Sequence, residues 1–209
     1  RITVKFLEQF PEFAAFRQTT PGDVHGKTSI AIETTEKTPD EVLELAHQTL
    51  RQELAQDILV KILACSPAFF ENLVVELLVK MGYGGSRADA GQRIGQSGDG
   101  GIDGIIKEDK LGLDVIYIQA KRWQGSVGRP EIQKFVGALT GQGSSKGVFI
   151  TTSTFTTDAK DYAERIINTK VVLVDGQRLA HLMMDHDVGV AVAATYQIKR
   201  IDSDYFEEA

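Results

Sequence analysis

One acid, one amide and one lysine stand out by their spacing. Asp103 lies in the run Gly98-Asp99-Gly100-Gly101-Ile102-Asp103-Gly104, and Gln119-Ala120-Lys121 begins sixteen residues after it. Asp114 to Lys121 is an unbroken run of β-formers. Side chains two apart on a strand share a face, so Gln119 and Lys121 project together while Ile116, Ile118 and Ala120 face the other way. Asp103 falls in a short Ile-Asp-Gly-Ile-Ile run, and the turn Asp109-Lys110-Leu111-Gly112 joins the two runs as a hairpin. Two neighbouring strands thereby gather a carboxylate, an amide and a lysine around one metal ion. That set suits hydrolysis of a phosphodiester. The carboxylate holds a divalent cation, and the lysine orients or helps deprotonate the attacking water and offsets developing charge. Asp99, between glycines, reads as a turn residue.

The elements that must position these groups follow from pattern. Thr38-Pro39-Asp40-Glu41 is a capping box with proline at the first helical position. It starts a long helix through Leu43, Leu50, Leu54, Ile58 and Ile62 to about Ala64. Ser66-Pro67 caps the next helix, which buries Phe70, Leu73, Val74, Leu77 and Leu78 and stops at Gly82. After the hairpin, Arg129-Pro130-Glu131 opens a helix to about Leu139. Gly147–Thr151 is a buried strand, Thr157–Asn168 a helix, Val171–Val174 a strand and Gln177–Met184 a helix. The order α-β-β-α-β-α-β-α gives an α/β fold, a mixed central sheet with helices on its faces. Phe6, Leu7, Phe10, Phe13 and Phe16 recur at roughly helical spacing near the start, and residues 18–37 read as a linker. Tyr196, Tyr205 and Phe206 are expected to dock an acidic C-terminal tail.

Charge and composition narrow the possibilities. A chain of 209 residues can bury a substantial core, and no apolar stretch is long enough to span a bilayer. A single cysteine, Cys65, excludes an internal disulfide and fits a reducing cytosol, so a cytoplasmic location is expected. The net charge of −6 argues at first against nucleic acid. Its distribution answers this: between Lys121 and Lys146 five basic residues (Lys121, Arg122, Arg129, Lys134, Lys146) face the single acid Glu131, a candidate basic face. Arg122, just past the strand, and Ser153, in Thr151-Thr152-Ser153-Thr154 at another strand end, are further candidates for phosphate contacts. Gly26-Lys27-Thr28 ends like a phosphate-binding loop, but Pro21 stands where the first glycine is required, which excludes it. His181 and His186, five apart, do not share a helix face, so zinc is not indicated.

The ordered set of motifs resembles the Mrr-like restriction endonucleases, a branch of the PD-(D/E)xK nuclease superfamily. The similarity covers about residues 66–186: Phe69-Phe70-Glu71 to Met81-Gly82-Tyr83, the Gly-Asp-Gly-Gly-Ile-Asp-Gly run, Tyr117-Ile118-Gln119-Ala120-Lys121-Arg122, Glu131 to Leu139, and Lys146-Gly147-Val148-Phe149-Ile150-Thr151-Thr152-Ser153. In that branch Gln commonly replaces the acid of the D/E-x-K element, as Gln119 does here. The resemblance implies a restriction-endonuclease-like core with Asp103, Gln119, Lys121 and Glu71 as catalytic residues. Asp103, Gln119 and Glu71 would hold Mg²⁺ or Mn²⁺, with Glu71 supplied by the first core helix. It also implies cleavage of double-stranded DNA, methylated bases as the trigger, a homodimer or higher homo-oligomer, and a winged-helix domain preceding residues 1–37. The expected organisation is a remnant and linker at 1–37, a connecting helix at 38–65, the catalytic domain at 66–188 and an acidic extension at 189–209. Two other readings stay open: a catalytically lapsed DNA-binding or assembly module, motivated by the charge lost at Gln119, and a structure-selective repair nuclease.

Overall fold

The computed structural model describes residues 37–84, 102–109 and 113–207. The N-terminal phenylalanine segment, the linker, Asp99 and the tip of the hairpin turn lie outside these residues. By internal contacts the chain divides into residues 1–45 and residues 46–209. Helix α1 (Pro39–Ala64) opens on the expected capping box: the Thr38 N–H donates to Glu41 Oε2 at 2.6 Å, and the Glu41 N–H donates back to Thr38 Oγ1 at 3.3 Å. Helix α2 (Pro67–Lys80) is capped by Ser66, whose hydroxyl accepts from the Phe69 N–H.

Four strands follow: β1 (Gly104–Lys107), β2 (Val115–Lys121), β3 (Lys146–Thr151) and β4 (Lys170–Val174). They lie in the order β1-β2-β3-β4, with β1 antiparallel to β2 and the other pairs parallel. The two parallel steps are made by α3 (Arg129–Gly141) and α4 (Thr157–Arg165), and α5 (Gly176–Asp185) follows β4. The mixed sheet and the element order are those expected from the hydrophobic pattern.

Each face of the sheet carries its own core. On one face Phe70, Leu73, Val74 and Leu77 of α2 pack with Ile106, Ile118 and Ile150 of the strands and Leu179 of α5. Ala55, Ile58 and Ile62 of α1 belong to this same core, so the second half of the long helix packs with the elements expected to follow it. Arg51 of α1 is also tied to Asp185 of α5 by an ion pair of 2.6 Å. On the other face Ile132, Phe135 and Leu139 of α3 pack on Tyr117 and Phe149, and the Phe135, Phe149 and Phe155 rings meet edge to face at 5.6 and 5.7 Å. Glycine at 147 is what lets α3 lie so close: a Cβ there would stand 2.8 Å from Leu139 Cδ1 and from the Phe135 ring.

Two expectations fail. Helix α4 ends at Arg165 instead of Asn168; Ile166 is already extended and Asn168 has φ +66°, a left-handed backbone that cannot continue a helix. The C-terminal segment is not docked: Tyr196, Tyr205 and Phe206 are 85, 80 and 71% exposed. No helix among the described residues is long and apolar enough to cross a membrane.

Candidate active site

The hairpin register brings Asp103 to Gln119. The last pair of β1 and β2 is Gly104 with Ile118, so one step further Asp103 stands level with Gln119. The Asp103 N–H donates to the Ile118 carbonyl at 2.9 Å. Its carboxylate then replaces the next ladder carbonyl, with Oδ2 accepting from the Ala120 N–H at 2.7 Å. One carboxylate oxygen is spent on fixing the strand, and Oδ1 is the oxygen left to face a ligand. β1 begins at Gly104, and the acid just before it closes the ladder.

The electrostatics of this corner are those of a site that wants a cation. Burial pushes the Asp103 carboxyl above the usual carboxylate range; the Ala120 N–H opposes that, the nearby Glu71 carboxylate adds to it, and Lys121 opposes it. Glu71, half-buried in the first turns of α2, therefore reaches the same corner as Asp103 and Lys121. Gln119 is 1% exposed, and its Oε1 is buried with no hydrogen-bond partner. A buried orphan carbonyl costs about 1–3 kcal/mol. An amide oxygen level with a carboxylate is a donor pair that suits a hard divalent cation. Among the described residues no group of three His, Cys, Asp or Glu could hold a metal. Lys121 is half-buried at the end of β2, and its Nζ lies 5.6 Å from the centroid of the Trp123 ring, within the range of a cation–π contact.

Asp103 therefore stands level with Gln119 and within electrostatic reach of Glu71 and Lys121. Of the four residues expected to contact DNA, Arg122 and Ser153 follow the paired ends of β2 and β3, but both donate to backbone. Arg122 turns inward and donates from Nη1 to the Leu63 carbonyl at 2.5 Å, closing the C-terminal end of α1, and its Nε is buried. The hydroxyls after β3 tie down the chain that leaves β2: Thr151 Oγ1 donates to the Lys121 carbonyl at 2.8 Å, Thr152 Oγ1 to that of Trp123 at 2.7 Å, and Ser153 Oγ to that of Gln124 at 3.1 Å. Ser153 so spends its proton on backbone instead of phosphate. Lys146 begins β3, whereas its other end, Thr151, pairs with Lys121. That separation is about 16 Å along the strand. Lys146 is also already matched: it bonds Glu108 at 2.5 Å and Asp114 at 2.8 Å, and these partners, Asp114 foremost, raise its pKa. Lys134 is exposed on α3. Arg129 was expected as one of the five bases of a basic face. It is exposed at the start of α3, with its guanidinium 4.9 Å from the centroid of Tyr162 and paired with Asp158 at 3.4 Å.

Comparison with known proteins decides the family. The Mrr_cat family model, described as a restriction endonuclease, matches residues 62–183, which include Glu71, Asp103, Gln119 and Lys121. The chain belongs to the Mrr-like restriction endonuclease family. It is 50% identical over 175 residues to the type IV methyl-directed restriction enzyme EcoKMrr of Escherichia coli (strain K12), a match spanning 84% of this chain and 56% of that protein. The chain thus spans little more than half the length of that relative. Among solved structures, the MspJI restriction endonuclease in complex with a 27-mer oligonucleotide aligns with a TM-score of 0.38 at 22% identity, over 73% of this chain and 34% of that one.

Proposed function

We infer that this chain is the catalytic part of a metal-dependent endonuclease that hydrolyses phosphodiester bonds of double-stranded DNA carrying methylated bases. The observation that carries the reading is the orphaned Oε1 of Gln119, buried on the residue level with Asp103, whose own carboxyl feels the Glu71 charge. A divalent cation, Mg²⁺ or Mn²⁺, would be held by Asp103, the Gln119 carbonyl and Glu71, and would supply Lewis-acid polarisation of the scissile phosphate.

The remaining work falls to the chain's own residues. Asp103, pinned by the Ala120 N–H, keeps one oxygen in place on a strand end instead of a mobile loop. Lys121 projects on the same face two residues on, where its ammonium orients a water for attack and offsets charge that grows on the phosphate oxygens. The hydroxyls of Thr151 and Thr152 hold the backbone that carries Lys121 and Trp123. Cutting both strands requires two such sites, so we assign the working form as a homodimer. The resemblance to EcoKMrr motivates methylated DNA, and the single cysteine motivates a location in the cytoplasm; a further DNA-reading domain would supply selectivity.

The test is cleavage of supercoiled plasmid, methylated and unmethylated, with Mg²⁺ or Mn²⁺. Wild type should give nicked and linear product, and Asp103→Ala and Lys121→Ala should give none above background. Cleavage that survives Asp103→Ala would overturn the assignment. Equal inactivity of all three proteins, with DNA binding intact, would favour the lapsed module that Gln119 also suggests.

A further inference from the structure

A groove of about 350 Å³ runs along the α2–α5 face of the sheet, from the start of β3 and β4 to Ile150 and Val174. Val148, Val172 and Leu182 are among its apolar lining; Lys170 and Arg178 line it too, as does the bonded pair of Lys146 and Glu108. Its volume lies in the range of sites that accept one or two bulky side chains. The same chain carries a segment of complementary character. Asp204–Phe206 is a single 3₁₀ turn in which Tyr205 and Phe206 stack edge to face at 5.1 Å, though both are largely exposed. Asp202, Asp204 and Glu207 flank the two rings, and Lys199 and Arg200 stand further ahead. Ile198 and Ile201 ahead of them are 71 and 78% exposed. A preformed aromatic pair with acids on both sides matches an apolar floor beside Lys170 and Arg178, in shape and in sign of charge.

We propose that the Ile198–Glu207 segment of one copy docks in the α2–α5 groove of a second copy, with Tyr205 and Phe206 seated on the apolar floor and the flanking acids against Lys170 and Arg178. The exchange is reciprocal: each copy gives one segment and receives one, which closes the pair at two subunits. The occupant is a second copy because each chain carries both halves of the match and leaves its own segment exposed. The inference deepens the homodimer assigned above. Its test reads mass, so it fails or stands independently of cleavage.

Sedimentation equilibrium of the full chain across micromolar concentrations is the experiment, with circular dichroism to confirm that each variant folds. Wild type should self-associate to a dimer. Tyr205→Ser combined with Phe206→Ser alters only exposed side chains and should raise the dissociation constant by about tenfold or more, as loss of aromatic anchors does. Lys170→Glu should weaken the dimer, and adding Asp204→Lys should restore it. A free peptide of residues 196–207 should shift wild type toward the mass of one chain. A monomeric wild type at every concentration, whether its segment stays free, folds back on its own groove or serves another protein, would overturn the proposal. So would a dimer that the double substitution leaves unchanged.

Discussion

At the residue level, the chemistry depends on two groups that the fold keeps at a cost. Asp103 holds its proton more tightly than an ordinary carboxyl because it is buried and near Glu71. Between its unfolded and its native pKa the native chain therefore binds more protons, and stability falls as pH rises through that window. Ionised Asp103 is thus a burden to the metal-free protein at neutral pH. Asp103→Asn keeps an oxygen for the Ala120 N–H and removes the charge. It should raise the melting temperature of the metal-free protein at neutral pH, by an amount that shrinks as pH falls below the ordinary carboxylate range. The same variant should be inactive on plasmid and lose any melting-temperature rise that Mg²⁺ gives wild type; thermal scans over a pH series check both halves. Gln119 carries the second cost, a carbonyl without a partner. Lys121→Ala should lower the cleavage rate about 10²–10³-fold, the usual loss on removing one preorganised charge or donor, with little change in DNA affinity.

At the level of elements, the sheet and its helices were legible because each obeys a local rule: period-2 runs for the strands, and Thr38, Ser66 and Pro130 at the helix starts. Asp103, Gln119 and Lys121 were legible for the same reason, since a hairpin register fixes them together. The proposed DNA contacts were not, because their partners are remote in sequence. Nothing near Arg122 signals that it closes α1 at Leu63, fifty-nine residues earlier. Nothing near Lys146 signals Glu108 and Asp114 across the hairpin. Charge alone suggested phosphate, and tertiary pairing took the charge instead. Arg122→Met, which keeps the stem and removes the donor, should therefore cost about 1.5–3 kcal/mol in chemical denaturation. Its cleavage rate per folded molecule should stay near that of wild type. Thr151→Val should cost about 1–2 kcal/mol by the same measurement, since it removes a buried hydroxyl from the Lys121 carbonyl.

At the level of the whole molecule, function separates along the strands. The Asp103 corner lies at one end of the sheet and the Lys146 cluster at the other, with the apolar groove along one face. Lys146→Met should accordingly leave plasmid cleavage and its dependence on salt unchanged, whereas a direct phosphate contact would lower the salt slope by about one. The net charge of −6 is no obstacle to a DNA substrate when the acids that face DNA are few and are offset by a bound cation. The C-terminal segment was misread for a physical reason. Exposed aromatics in a sequence imply a partner surface, but they do not say whether it belongs to the same copy.

The central claim is that the Gln119 carbonyl serves as a ligand in place of the missing acid. Calorimetric titration of Mn²⁺ into wild type, Asp103→Ala and Gln119→Leu tests it most directly, because leucine fills the buried volume without offering an oxygen. Gln119→Leu should fold, lose no more than about 1.5 kcal/mol of stability, and bind Mn²⁺ as poorly as Asp103→Ala. Wild-type affinity for Mn²⁺ in Gln119→Leu would contradict the account.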